Sequence, residues 1–441
     1  QTGVFRIRAT GEAGDEKRSV VASFKRRGFL DFVYFTDYET FPAELGRTHQ
    51  WLQGNPTRVS ASDPTSYVQW AENNCARYYR DGRGLATNVY SGQEFTGGSW
   101  QPIEDGGGTP RDVPCVEIQF KSDASGTDRQ RGPFHTNDEL LICGSPWFGE
   151  KPSDDVEVSA PPPGGGGSGN PEGWRASCGG SLPKVNFPPS AADGTVGTWR
   201  KSSPLMTLPP SNQSVADEAL PAYRFVGRTT IVMNGDTMTV TGKRASGQVL
   251  TAATLALPDK GVISIAHDPS GACTGLDVLR PLSSSTACGD LWINGTYNKN
   301  VTFTAANDIL VRDDVLKSPS DVMLGLIASQ FVRVHHPTTT DGYNCGTNNG
   351  GPGDIRIDAA ILAVNKSFTV DKYWCGANLG TLTVNGAIAQ QFRGPVGRGS
   401  SGYTKDYVYD RRLRFRSPPK FLDPVESSWR LKSQVEQVPA T

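Results

Sequence analysis

Residues 354–397 read DIRIDAAILAVNKSFTVDKYWCGANLGTLTVNGAIAQQFRGPVG. Two alternating runs lie inside this stretch, Ile355 to Ala363 and Leu382 to Ala389. Superposed, they set Ile357 against Val384, Ala359 against Gly386 and Ile361 against Ile388, with Phe368 close to Phe392. The offset is about 27 residues, a period typical of stacked repeats. Period-2 apolar alternation over a few residues indicates strand rather than helix. Two strands, each followed by a polar bend and a further short strand, are what successive coils of a solenoid require. The predicted fold is therefore all-β: a β-solenoid, right-handed β-helix-like, with an N-terminal β-hairpin and long loop insertions. A multi-strand β-sandwich is the alternative.

Working outward, strand patterns recur at 229–241, 261–267, 290–311 and 322–334. Gly325-Leu326-Ile327-Ala328 resembles Gly386-Ala387-Ile388-Ala389, and each leads into Gln-Phe. A repeating unit that buries one face completes its core only by stacking. The spacing is irregular, about 34 and then about 27 residues, which counts against a strict repeat. Residues 4–27 alternate around Gly-Glu-Ala-Gly-Asp and predict a hairpin. The aromatic run 29–41 supplies rings for a core or a ligand platform. Residues 63–79 hold the one modest helix pattern, with Pro64 in its first turn. The expected organisation is a hairpin or stem (1–30), a first β-rich part with that helix (31–150), a Pro/Gly-rich loop or linker (151–222), the solenoid proper (223–420) and a C-terminal tail (421–441). The tract at 151–173 reads as a loop thrown out from one continuous solenoid, since strand patterns on its two sides look alike.

The chain has 441 residues, enough for a large core, and a formal net charge of −1. That balance gives no global electrostatic case for nucleic acid or an anionic membrane. Gly at 50 and Pro at 31 suit many short strands joined by turns. Eight cysteines, Cys75, Cys115, Cys143, Cys178, Cys273, Cys288, Cys345 and Cys375, include no C-x-x-C pair. An even count without zinc-type spacing reads as disulfides in an exported protein. Connectivity stays open; Cys273 with Cys288 and Cys345 with Cys375 are the easiest loops to close. No apolar run approaches membrane-spanning length. The chain starts at Gln1 with no targeting segment, so such a segment is expected to have been cleaved or to precede the sequence.

Chemistry is sparse. No nucleophile elbow, P-loop, zinc-protease or EF-hand motif occurs. His335 and His336 are adjacent, so on a strand they face opposite sides and share one ion poorly. A glycosidase needs two suitably spaced carboxylates. Asp313 with Asp314 and Asp138 with Glu139 are neighbours facing opposite ways, whereas Asp354 and Asp358 could lie on one exposed face. Turn-rich surfaces explain all of them without catalysis, and neither catalytic residues nor cofactors nor metals are expected. Near the end, Arg411, Arg412, Arg414 and Arg416 interleave with Tyr407, Tyr409, Leu413 and Phe415, a pattern that could contact a partner such as DNA. Asp406, Asp410, Asp423 and Glu426 offset much of that charge. Sequons occur at Asn212, Asn294, Asn300 and Asn365 and matter only in a host that glycosylates them.

Three passages together carry a family resemblance: SFKRRGFLDFVYFTDYETFP (23–42), RGPFHTNDELLICGSPWFG (131–149), and GAIAQQFRGPVG (386–397) with GYTKDYVYDRRLRFRSPPKFLDPVESSWR (402–430). In these passages the chain resembles exported surface proteins of high-GC Gram-positive bacteria, similar to minor type IV pilins or pseudopilins with a β-solenoid passenger region. The resemblance implies an N-terminal hydrophobic helix ahead of the passenger. It also implies a non-enzymatic, structural or adhesive role at the cell surface, with pilus or surface components as partners and a homo-oligomer or filament as the assembled form. Glycan and DNA are the weaker partner expectations. A polysaccharide-acting β-helix enzyme and a DNA-handling pilus tip protein are the alternative functions. No catalytic residue comes across with the resemblance.

Overall fold

The structure is a computed structural model describing residues 4–40, 42, 45, 87–88, 93–96, 99–102, 120–123, 126–138, 140–151, 153–159, 174–176, 199–200, 203–277, 279–341, 345–427 and 429–437. The expected helix at 63–79 lies outside them. Strands dominate, and the fold is all-β. Almost every contact between successive coils is a parallel pairing, the arrangement of a solenoid and not of an antiparallel sandwich.

Each coil contributes short strands to three ladders. In the first, Ile263, Phe303, Leu326, Ile361 and Ile388 lie directly over one another in register. All are buried in one continuous core. Each such side chain stabilises the stack by roughly 1.5–3 kcal/mol through burial. A second ladder runs through Val315, Ile357, Val384 and Tyr407. A third runs through Val332 and Phe368, and alongside them Val334 and Val370. The pairings of Ile357 with Val384 and of Ile361 with Ile388 are those expected from the 27-residue offset.

One expected match shifts. Gly325 pairs with Ala360, which pairs with Ala387, so Gly325 stands one residue away from Gly386. The large inward residue governs: Leu326 must stand over Ile361, and a one-residue slip would turn it outward. Gly325 is small for another reason. A Cβ there would meet Thr302 Oγ1 at 2.8 Å, Phe421 at 3.0 Å and Pro418 at 3.1 Å, where residues 418–421 cross the sheet.

The stack does not follow chain order. The long strand Asn378–Phe392 pairs through its first half with Ser401–Tyr409 and through its second half with Tyr34–Tyr38. The next coil is thus assembled from two segments more than 350 residues apart. Beyond it come Arg129–Arg131 with Phe134–Thr136, then Trp147–Phe148 with Val156–Val158, then Trp199–Arg200, all parallel. The first ladder continues through Tyr34, Phe134 and Val156, with the Tyr34 and Phe134 rings stacked 5.2 Å apart. Described strands between Tyr34 and Arg200 and between Arg224 and Tyr409 therefore contribute to one solenoid.

The outer side of the first ladder is also covered, which explains the unbroken apolar runs Leu324–Ala328 and Ala360–Ala363. Met206, Val215 and Ala219, on a strap running through 203–222, pack with Phe29, Phe32 and Phe35 against Ile327, Leu362 and Ala389. Within the segment expected to be loop or linker, Val156–Val158 is thus a rung and 203–222 a strap. Both chain ends leave at the composite coil. Val4–Ala13 and Glu16–Arg26 form the expected hairpin, and the C-terminal segment adds a third antiparallel strand, Trp429–Gln437.

Gly386 tests the stacking directly. A Cβ there would lie 1.8 Å from the Ala359 carbonyl oxygen, a contact that only backbone displacement relieves. Gly386→Ala should lower the unfolding free energy by about 1–3 kcal/mol or more. Gly11→Ala, in open space on the hairpin, should change it by no more than about 0.5 kcal/mol. Urea denaturation of the two variants checks both values.

Candidate functional site

The densest concentration of ionisable groups lies at the composite coil, and it is mostly internal. Arg393 Nη1 donates to Glu39 Oε2 at 2.9 Å, with both side chains fully buried. The Arg393 guanidinium also lies 3.4 Å over the Phe120 ring, and its backbone N–H is shared between the Tyr38 and Thr40 carbonyls. This arginine directly follows Phe392, the last residue of the strand Asn378–Phe392, and closes the N-terminal segment onto it. Removing one partner of such a buried pair costs about 3–5 kcal/mol, because the other charge is stranded. Beside it, Lys405 donates to Asp128 at 2.9 Å, and Gln390 bridges Tyr34 Oη and the Phe368 N–H.

On the outer side of the same coils, Arg27 donates to both Glu157 oxygens at 2.5 Å. His135 Nδ1 stands 3.0 Å from Glu157 Oε2, and its Nε2 stands 3.1 Å from Asn137 Oδ1. Burial alone would raise the Glu157 carboxyl. The hydrogen bonds from His135 and Arg27, with the Arg27 charge, outweigh burial and hold it down at about 2.

A further buried cluster sits on the third ladder. Arg333 donates to Asp308 at 2.9 Å and to Asp371 at 2.6 Å. Burial pushes the Asp308 carboxyl up to about 6 against the opposing pull of Arg333, while Asp371 is held below its ordinary value because Arg333 and His335 outweigh its burial. His336 is buried, with Nε2 3.0 Å from Asn348 Oδ1. Among the described residues no three His, Cys, Asp or Glu side chains converge as metal ligands.

The four arginines singled out near the C-terminus fall on or just after the turn Arg411–Arg414, and they divide into two pairs. Arg411 is committed to Asp154 at 2.8 and 3.0 Å and to Glu150 at 3.4 Å. Arg412 is committed to Asp410 at 2.5 Å and to the Ser320 and Val322 carbonyls. Burial would raise Asp410, but Arg412 and Lys317 outweigh it and hold it at about 2. Both arginines clamp the last turn to the stack. Arg414 is half-buried and Arg416 exposed, and they flank Phe415, whose ring is 77 % exposed.

The expectation that Asp354 and Asp358 share an exposed face is corrected. Asp358 is buried and receives hydrogen bonds from Arg356, Asn385 and the Lys317 N–H. Asp354 is exposed and accepts from the Thr381 N–H. The chain turns a corner after Ile357, so simple alternation no longer applies. Asp138 caps the Glu39 N–H. Cys273–Cys288 and Cys345–Cys375 form disulfides, closing sequence separations of 15 and 30 residues. Cys75, Cys115 and Cys178 lie outside the described residues, as does the side chain of Cys143. Of the sequons, Asn212 is buried, its amide donating to the Ala305 and Ile327 carbonyls. No helix of the described residues is long and apolar enough to cross a membrane.

The electrostatics give a pH prediction. Glu157 is depressed in the folded chain from 4.5 to about 2, so its stabilisation is complete above pH 4.5 and is lost as pH falls toward 2. The loss should amount to at most about 3 kcal/mol. Glu157→Gln should be less stable than the parent at pH 7, and the gap should narrow below pH 4.5. Thermal melts between pH 7 and pH 2 measure it.

No protein-family model matches the chain, and no curated protein matches it. Among solved structures, the crystal structure of the competence-associated pilin ComZ from Thermus thermophilus is similar at 12% identity, over 98% of this chain and 81% of that one, with a TM-score of 0.27. At that level of likeness two chains need share neither detailed topology nor function. The chain is an all-β solenoid with two disulfides among the described residues and a charged interior at its seam.

Proposed function

We propose that this chain is the displayed, non-enzymatic region of a pilin-like surface protein: an exported, extracellular solenoid with a structural or adhesive role. One observation carries the reading. Both chain ends leave the solenoid together as a three-stranded ribbon in which Val4–Ala13 and Glu16–Arg26 share an apolar face, while the third strand brings Gln434 and Glu436 to that face. Phe5, Ile7 and Ala9 share that face with Val20, Ala22 and Phe24 by register. Phe5 stacks on Phe24 at 4.9 Å and meets the Trp429 ring edge-on at 4.6 Å. Ile7 remains 50% exposed and Trp429 49%. Arg6 and Arg8 occupy the opposite face. A hairpin with one apolar face, set beside the ends of a passenger, suits a mount for an apolar helix encoded upstream. The disulfides favour an oxidising compartment. Of the carboxylates weighed as catalytic pairs, Asp138, Asp314, Asp354 and Asp358 accept structural hydrogen bonds, which favours scaffold over polysaccharide enzyme; Glu139 lies outside the described residues.

Extending the chain by what its gene encodes before Gln1 tests this. The added residues should include an apolar helix, and amides in 4–13 and 429–437 should exchange with deuterium at least tenfold more slowly than in the 1–441 chain. A gene whose product starts at Gln1, or unchanged exchange, overturns the reading.

A second reading, a DNA-handling tip protein, is favoured by Phe415, exposed between Arg414 and Arg416 as a ring and two cations for a single strand. It requires salt-sensitive binding of an oligonucleotide. Arg414→Ala with Arg416→Ala should weaken that binding about tenfold in fluorescence anisotropy at low salt, and absence of binding there rejects it.

A further inference from the structure

The solenoid end furthest from the N-terminal rungs is finished in an unusual way. Its last parallel coil contains Arg224–Gly235, which pairs with Gly261–Ala266 and Leu291–Tyr297 on one side. On the other side the chain adds two antiparallel strands, Thr237–Arg244 and then Val249–Ala256. Val249–Ala256 pairs with Thr237–Arg244 along one edge and with no other strand among the described residues. On its other edge the Ala256 carbonyl accepts from Tyr223 Oη, and the Thr254 N–H and C=O face outward, where a strand could pair with them.

Edge strands are ordinarily blunted by charge or proline. The N-terminal edge strand follows that rule, carrying Arg6, Arg8 and Glu12 within Val4–Ala13. Val249–Ala256 does not: from Ala245 to Leu257 the sequence ASGQVLTAATLAL holds no charged residue and no proline. Val249 is 72 % exposed. A bulge divides the strand, since Val240 pairs with Ala253 while Gly242 pairs with Leu250. Ala252 there adopts φ 47°, a left-handed conformation for a residue with a side chain, and its N–H is taken by Thr241 Oγ1. The bulge leaves Ala253–Ala256 as a short regular segment with Thr254 and Ala256 exposed.

We propose that this edge is a strand-addition site and that its occupant is a second copy of this chain, the two Ala253–Ala256 segments pairing antiparallel about a two-fold axis. Charge selects the occupant. A two-fold places the strand against itself, so a charged residue would meet its own copy, and this strand has none. Antiparallel self-pairing also reproduces the sense of the pairing it already makes with Thr237–Arg244. Two solenoids joined this way form one longer rod with a ribbon of chain ends on each half. A four-residue ladder is a small contact, so the association is weak and concentration-dependent.

Sedimentation velocity of the chain from about 1 μM to 1 mM reads the outcome, weak contacts of this size falling in the micromolar to millimolar range. The expected result is a monomer–dimer equilibrium that Thr254→Lys with Ala256→Lys weakens at least tenfold, by setting like charges across the axis. Both positions are exposed, so the melting temperature should stay unchanged, and Thr254→Ser should dimerise like the parent. Ile7→Lys, on the ribbon, should leave the dimer intact. A monomer throughout the range overturns the proposal. So does a dimer insensitive to the lysines, or one lost with Ile7→Lys, which would place the contact on the ribbon.

Discussion

A parallel rung cannot stand alone. It buries one surface, and both its edges carry unpaired peptide groups until another rung lies on each side. Every large feature of this molecule answers that constraint. The inward ladder of Ile263, Phe303, Leu326, Ile361 and Ile388 exists because each rung must place a large apolar side chain over the last. Gly386 exists because the Ala359 carbonyl leaves no room for a side chain. At the upper end, where parallel coils stop, the chain turns back on itself twice to pair the exposed edge.

At the composite coil the same demand is met by residues from opposite ends of the chain, and polar groups concentrate there. Glu39 with Arg393, Asp128 with Lys405, and Glu157 with Arg27 each tie an N-terminal segment to a distant one or to the chain end. Apolar rungs fix which residues face inward but choose their stacking partner weakly, since many short apolar strands would stack acceptably. A buried ion pair accepts one arrangement and penalises the rest. These charges serve the seam, which is why a chain with so many buried ionisable groups presents so little recognisable chemistry.

Much of the solenoid is legible in the sequence because in-register stacking copies the inward pattern from coil to coil; Ile361 and Ile388 advertise each other. The one-residue error at Gly325 shows the limit: letters match, but side-chain size decides. The union of Tyr34–Tyr38 with Asn378–Phe392 leaves no trace of that kind, because aromatic rungs stack on aliphatic ones without sharing a motif. The third strand of the ribbon was hidden for a similar reason, as two- and three-stranded ribbons look alike from either strand. Arg411 and Arg412 belong to a run expected to contact a partner, and no spacing in the sequence announces that Asp154 and the Ser320 carbonyl stand beside them. The corner after Ile357 likewise hid the burial of Asp358.

The composite coil also sets a clock on biogenesis. Residues 34–38 are made well before the strand they pair with, 388–392, which comes some 350 residues later. At usual translation rates that interval is roughly 20–70 s. Through it the aromatic run Phe29–Tyr38 and the rungs that follow have no finished surface to dock on. The N-terminal rungs can pair with one another and the C-terminal coils with one another as they appear; the seam between the two sets must wait for residues 388–409. A chain wired in this way can close its seam only after both partners of that one pairing have been made.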